Sequence, residues 1–327
     1  MNSDYSFYIS SDASRQSQDT SVGMREENAN KKINLAIFYS GRIIGYEECL
    51  IPFINMLKNK NKYNIKLFFS LNSFTFDPST KKEDVIEELK SHFSDTFGDI
   101  YTEYYKMPYE FVKIRLDSNV FMDSINMQYR LLSEYYNDKK NMELIEKYEE
   151  NNNMKFDIIC KSRADLIFQS FTDFIKDNEN DRILHNKHFM NIYYWGNGQI
   201  PPYISSTFLY GTKYVIKKYC EAYDFMLHNN RIFKGKYVVS GETLTTDNIL
   251  QYPMFKDIPG GGDVQLLSTS EIIDKFENNP NGIIIHYLHD VSYTMFHSRH
   301  NKNNYVVNVD NIFQYVSDAP HLHHIAS

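Results

Sequence analysis

The chain has 327 residues, 42% hydrophobic and 15% aromatic, which is enough apolar side chain for a sizeable core and too much for a disordered protein. Its 35 basic against 42 acidic residues give a net charge of -7, which excludes a general electrostatic drive towards nucleic acid or an anionic membrane, so any anionic ligand must be held locally. No apolar run approaches the roughly 18 residues that span a bilayer, and the amino terminus is polar without an apolar signal core, so a cytoplasmic protein with no transmembrane segment is expected.

Residues 1–32, with SSDASRQSQDTS and REENANKK, are polar and lack hydrophobic period, and read as a disordered tail. INLAIFYS, residues 33–40, is a continuous apolar run of strand length that ends in Ser40, Gly41 and Arg42. YEECLIPFINMLKN follows with Leu50, Phe53, Ile54 and Leu57 at helical spacing, and Pro52 is best tolerated there in a first turn. Strand, glycine turn and helix open an α/β unit. IKLFFS, residues 65–70, reads as a second strand, and EDVIEELKSHF as a short amphipathic helix through Val85, Ile86, Leu89 and Phe93.

From about Met122 to Glu150 the pattern predicts a long helix or helix pair, with Ile125, Tyr129, Leu132 and Tyr136 on one side. It leads into KFDIICKSRADLIF, residues 155–168, where a buried strand over Phe156 to Cys160 meets Lys161, Arg163 and Asp165 before turning apolar again at Leu166. Strands are expected at 191–195 and 206–211, and then a helix burying Val215, Ile216, Tyr219, Tyr223 and Leu227. SGETLTTDNILQY predicts a further helix, GGG at 260–262 a loop, and VQLLS and GIIIHYL two late strands. There is no internal repeat and no proline-rich linker, so a single α/β domain over 33–316 is expected, with a tail over 317–327. Cys49, Cys160 and Cys220 are widely spaced and odd in number, as reduced core residues are, not a disulfide framework or a zinc site.

In an α/β sheet, ligands sit beyond the carboxyl ends of the strands, which singles out Ser40-Gly41-Arg42 and the turn after Cys160. Gly41 lets the backbone approach a ligand and Arg42 can meet a phosphate bidentately, although a tight turn with a solvated arginine has the same sequence. At the second turn Lys161 and Arg163 suit an anion, and Asp165 suits a divalent metal or a sugar hydroxyl. An Arg163 to Asp165 surface pair of little energetic value would look alike. His286 is the histidine best placed to join a metal site, since the cluster at 321–324 lies in a polar tail. Glu242 and Asp247 are candidates for a general base, and Glu242 equally suits a helix first turn. GGG before Asp263 has neither the P-loop nor the dinucleotide spacing.

Taken together, SGRIIGYEEC, FFSLNSF, MQYRLLSEYYNDKKNMELIEKYEENNNMKFDIICKSRADLIF, PPYISSTFLYGTKYVIKKY and SGETLTTDNIL resemble glycosyltransferases of giant viruses and of bacterial surface-polysaccharide clusters. These are of the GT-A, nucleotide-diphospho-sugar transferase type, and the resemblance covers most of residues 33–290. It implies a GT-A-like, mainly parallel (mixed) sheet flanked by helices, a UDP- or GDP-sugar donor, a glycan or protein acceptor, and a manganese or magnesium ion. The usual D-x-D is here Arg163-Ala164-Asp165, with one carboxylate, so metal use stays open. In sugar transfer, negative charge builds on the leaving diphosphate, and cations placed there beforehand lower the barrier. A nucleotide-sugar-binding protein of the same fold without turnover is the competing reading. A Rossmann-like methyltransferase fits less well, because the first strand lacks a G-x-G loop.

Overall fold

The unbroken apolar run Leu35 to Tyr39 makes the first strand a central one, because a strand covered on both faces does not alternate with polar residues. In the computed structural model this strand is β1 (Ile33–Arg42), and Leu35 to Tyr39 are buried without interruption. The structure describes residues 32–43, 45–73, 81–103, 105–108, 122–171, 173–174, 189–193, 207–228, 255–256, 265–266, 284–288, 292–295 and 316–317. Of the polar segment 1–32, all but Lys32 lies outside the described residues, as do the GGG loop and the helix expected over SGETLTTDNILQY.

The chain continues through α1 (Tyr46–Asn59), β2 (Tyr63–Ser73), α2 (Lys82–His92), β3 (Phe97–Tyr101) and β4 (Met107–Pro108). A helix of 31 residues, α3 (Met122–Asn152), then returns it to β5 (Ile158–Ser162) and β6 (Leu166–Ser170). β7 (Phe189–Tyr193), β8 (Phe208–Gly211), α4 (Lys213–Cys220) and α5 (Ala222–His228) follow. The later described elements are short strands: β9 (Phe255–Lys256), β10 (Gln265–Leu266), β11 (Ile284–Leu288), β12 (Ser292–Met295) and β13 (Val316–Ser317).

Seven strands form one sheet in the order β11-β7-β8-β5-β1-β2-β3. The pairings of β1 with β2 and β5, of β2 with β3, and of β11 with β7 are parallel, while β8 runs antiparallel to both β5 and β7. This is the α/β architecture expected, a mixed and mainly parallel sheet flanked by helices. Smaller two-stranded pairings join β9 to β10, β6 to β12, and β4 to β13. The last brings Val316 and Ser317 beside Met107 and Pro108.

Strand alternation divides the core. Leu35, Ile37 and Tyr39 of β1 and Ile65, Leu67, Phe69 and Leu71 of β2 share a buried cluster with Leu50, Phe53, Ile54 and Leu57 of α1 and Val85 and Leu89 of α2. On the other face Phe68 meets Tyr148 of α3 and Phe156 edge-on, at 5.6 and 5.8 Å between ring centroids. Pro52 falls at the seventh residue of α1, not in its first turn. The site is exposed, so the Glu48 carbonyl deprived of a helical partner faces water. The single helix expected after Thr212 is two, broken at Glu221. Cys49, Cys160 and Cys220 are free and buried, as expected. Among the described residues, no helix is long and apolar enough to cross a membrane.

Candidate functional site

From β1 the chain builds outward through α1, β2, α2 and β3 on one side, and α3 then carries it back to start β5 on the other side of β1. The gap between the carboxyl ends of β1 and β5 is therefore a topological switch point, where diverging loops leave a crevice in open α/β sheets. The two strands are parallel, with Tyr39 opposite Ser162, so Ser40-Gly41-Arg42 and Arg163-Ala164-Asp165 emerge side by side at one end of the sheet. Gly41 has φ of 86°, a left-handed conformation that explains glycine there, and the register against β2 slips between Gly41 and Arg42. Arg42 is exposed at the mouth.

Ala164 explains how the second turn is arranged. It is 3% exposed and belongs to the core cluster with Leu166, which pins the middle of the turn inward and turns its flanking residues out. Arg163 and Asp165 bind each other there: Nε donates to Oδ1 at 2.9 Å and Nη2 to Oδ2 at 2.7 Å. The Arg163 side chain is 45% exposed and that of Asp165 25%. Asp165 also acts on α1. The Cys49 thiol is pushed up to about 12, by burial first and then by the carboxylates of Asp165 and Glu48.

Lys161 differs from the reading of it as a ligand-facing cation. Register places it opposite Phe38, on the sheet face that α3 covers, and its side chain is 2% exposed. Its ammonium donates to Asp138 Oδ2 at 2.6 Å, Tyr219 Oη at 2.7 Å and Glu134 Oε1 at 3.0 Å, which uses all three protons. The rings of Tyr219 and Tyr135 lie 5.1 and 5.7 Å from it. A charge enclosed and satisfied this way serves the interior. Around it, Asn141 Nδ2 donates to the Tyr39 carbonyl and to Ser40 Oγ, both at 3.0 Å, and Ser70 Oγ donates to Asn137 Oδ1 at 2.7 Å. Ser40 is thus tied to α3 and forms the roof of this buried polar layer.

Two carboxylates around one ammonium leave excess negative charge, so both ends of the pair hold protons tightly. Burial raises the Asp138 carboxyl, Lys161 pulls it back and Glu134 pushes it up again, with the net direction upward. Burial alone would lower Lys161, but the charges of Asp138 and Glu134 outweigh it and its pKa is raised. Asp138 Oδ1 and Asn141 Oδ1 are buried without a hydrogen-bond partner.

Glu134, Asn137, Asp138 and Asn141 were not among the residues singled out from sequence, because polar residues on a helix read as its wet face. The signal was their spacing. They interleave with Leu132, Tyr135, Met142 and Ile145, all buried, and so share the inward side of α3. Glu149, further along that side, accepts from the Phe156 amide at 2.8 Å and pairs with Lys213.

His286 stands on β11. Its backbone is level with Cys160 through Asn191 and Tyr210, three strand spacings or about 14 Å across the sheet from β5. Both oxygens of Asp165 accept from Arg163, so a manganese or magnesium ion held there would have to share this carboxylate with the guanidinium. Glu242 and Asp247 lie outside the described residues.

No protein-family model matches the chain, and no curated protein matches it at a significant level. Among solved structures, the chain is similar to the X-ray structure of the mannosyltransferase Ktr4p from S. cerevisiae, with a TM-score of 0.32 and 10% sequence identity. The match covers 81% of this chain and 71% of that one.

Proposed function

We propose that the protein is a glycosyltransferase of the GT-A type that moves a sugar from a nucleotide-diphosphate donor, a UDP- or GDP-sugar, to a glycan or protein acceptor. The observation that supports this is the juxtaposition of the Ser40-Gly41-Arg42 end of β1 with the Arg163-Asp165 turn at the switch point, which brings two arginines and a carboxylate to the edge where an α/β sheet receives a ligand. The acceptor hydroxyl oxygen bonds to the anomeric carbon as the bond from that carbon to the diphosphate breaks. Its proton passes to a base, for which Glu242 and Asp247 are the candidates. Arg163, held flat by Asp165, and Arg42 meet the charge that develops on the leaving diphosphate. Lys161 contributes only by fixing the strand beneath them. No step is assigned to a metal ion.

A second reading is a nucleotide-sugar-binding protein without turnover. It is favoured by the pairing of the one carboxylate of the R-x-D turn with its own neighbour. A panel of nucleotide sugars, followed by thermal shift and by release of the nucleotide diphosphate, separates the two. Stabilisation with release supports the transferase and stabilisation without release the binder, while no response to any donor defeats both.

A further inference from the structure

We infer that Asn141 is a positioning residue for the candidate site: from α3 it fixes the open end of β1, so that Arg42 meets the leaving diphosphate. The chemistry of this inference rests on the glycosyltransferase reading, and its geometry does not. β1 pairs with β5 only as far as Tyr39 opposite Ser162, whereas its pairing with β2 runs on through Ser40 opposite Ser70 and Gly41 opposite Leu71 to Arg42 opposite Ser73. The last three residues of β1 therefore have a paired strand on one side and the crevice on the other. The left-handed Gly41 and the register slip that follows it fall in this stretch, where the ladder constrains Arg42 least.

Asn141 takes hold where β5 stops. It is fully buried, and its Nδ2 donates to the Tyr39 carbonyl and to Ser40 Oγ, both at 3.0 Å. Both amide protons are thus spent on two successive residues of one strand, which fixes a backbone atom as well as a side chain. One turn earlier on α3, Asn137 treats β2 in a similar way, accepting from Ser70 Oγ and donating to the Ser133 carbonyl, each at 2.7 Å. Ser70 stands opposite Ser40, so two asparagines at the i and i+4 spacing grip two serines level with each other on neighbouring strands. Asn141 Oδ1 is buried without a hydrogen-bond partner, and an unpaired buried acceptor is a cost to the fold. What the amide contributes is the hold on the end of β1.

The test uses the full chain and its Asn141→Leu, Arg42→Ala and doubly substituted variants, with Asn141→Ala as the second replacement should the leucine variant not fold. Release of UDP or GDP is followed with UDP-glucose, UDP-galactose, UDP-N-acetylglucosamine and GDP-mannose, and backbone hydrogen exchange is read over residues 40–42 and over β5. Asn141→Leu should lower kcat about ten- to a hundredfold with KM unchanged, because the charge that Arg42 meets develops as the bond breaks, and it should have no further effect once Arg42 is alanine. Exchange should quicken at 40–42 and stay at the parent's rate over β5, a pattern that a general loss of stability does not produce. Unchanged turnover in Asn141→Leu overturns the inference, as does an equal loss in the Arg42→Ala background. If the parent releases no nucleotide from any of these donors, the transferase reading is what fails, and exchange alone then decides the role of Asn141: equal rates at 40–42 in parent and variant overturn it, and a local increase there upholds it.

Discussion

Lys161 Nζ lies 2.6 Å from Asp138 Oδ2, and neither side chain is more than 2% exposed. The pair joins β5 to α3 beneath the switch point, and removing one partner strands the other as a buried charge. Lys161→Met should therefore destabilise the fold by about 3–5 kcal/mol, read from the urea midpoint, and Lys161→Met with Asp138→Asn should recover part of that loss. Equal midpoints for the parent and Lys161→Met would show the pair to be energetically idle.

Alkaline pH should act on the same layer. Lys161 and the phenols of Tyr39 and Tyr219 all have pKa values raised in the folded protein, the first by its carboxylates over the opposing effect of burial and the phenols by burial foremost. A raised folded value means the folded state holds the proton longer, so the stabilisation is complete below the unfolded value and is lost as pH climbs past it. Stability should be flat up to about pH 10 in these groups' contribution and fall steeply above it. Denaturant midpoints from pH 8 to 11.5 read this directly, and a fall shallower in Lys161→Met assigns the lysine's share.

Acid titration should work the other way at the surface. The Asp95 carboxyl is held below its usual range by its hydrogen bond to Lys58, so its contribution is present above about pH 4 and is lost as pH falls through the folded value. This exposed pair is screened, and Lys58→Met should cost less than about 1 kcal/mol at neutral pH.

Asp165→Asn should leave the fold within about 1 kcal/mol of the parent, because its pair with Arg163 is solvent-accessible. Under the proposed transfer it should lower turnover about a hundredfold by releasing the guanidinium from its plane. Arg163→Lys should be comparably damaging, since a point charge does not reproduce a planar fork. Full donor turnover in both variants would move the reaction centre elsewhere.

Gly41→Ala places a Cβ on a residue at φ 86° and should cost about 1–2 kcal/mol of stability, measured by thermal or urea unfolding. An unchanged midpoint would mean that the turn relaxes into another conformation.

The local pattern of the chain was sufficient for the elements around the switch point. A two-sided apolar run can only be a central strand, so β1, β2 and β5 were legible, as were α1 and α2 from their helical spacing and the three cysteines as buried thiols. Periodicity also pointed to the carboxyl ends of two strands, although Ser40-Gly41-Arg42, read as a turn, is the last part of β1 and pairs with β2, while Arg163-Asp165 follows β5. What it could not supply was direction. Lys161, Arg163 and Asp165 stand within five residues, yet strand alternation against Phe38 sends Lys161 under α3 while the buried Ala164 turns the other two outward. The partners that make a buried ammonium tolerable, Glu134 and Asp138, lie more than twenty residues earlier, on a helix whose polar side chains had no reason to face inward until the sheet was beneath them. Charge in a sequence says what a residue can bind, and only the pairing of distant segments in space decides whether it binds a ligand or the protein's own interior.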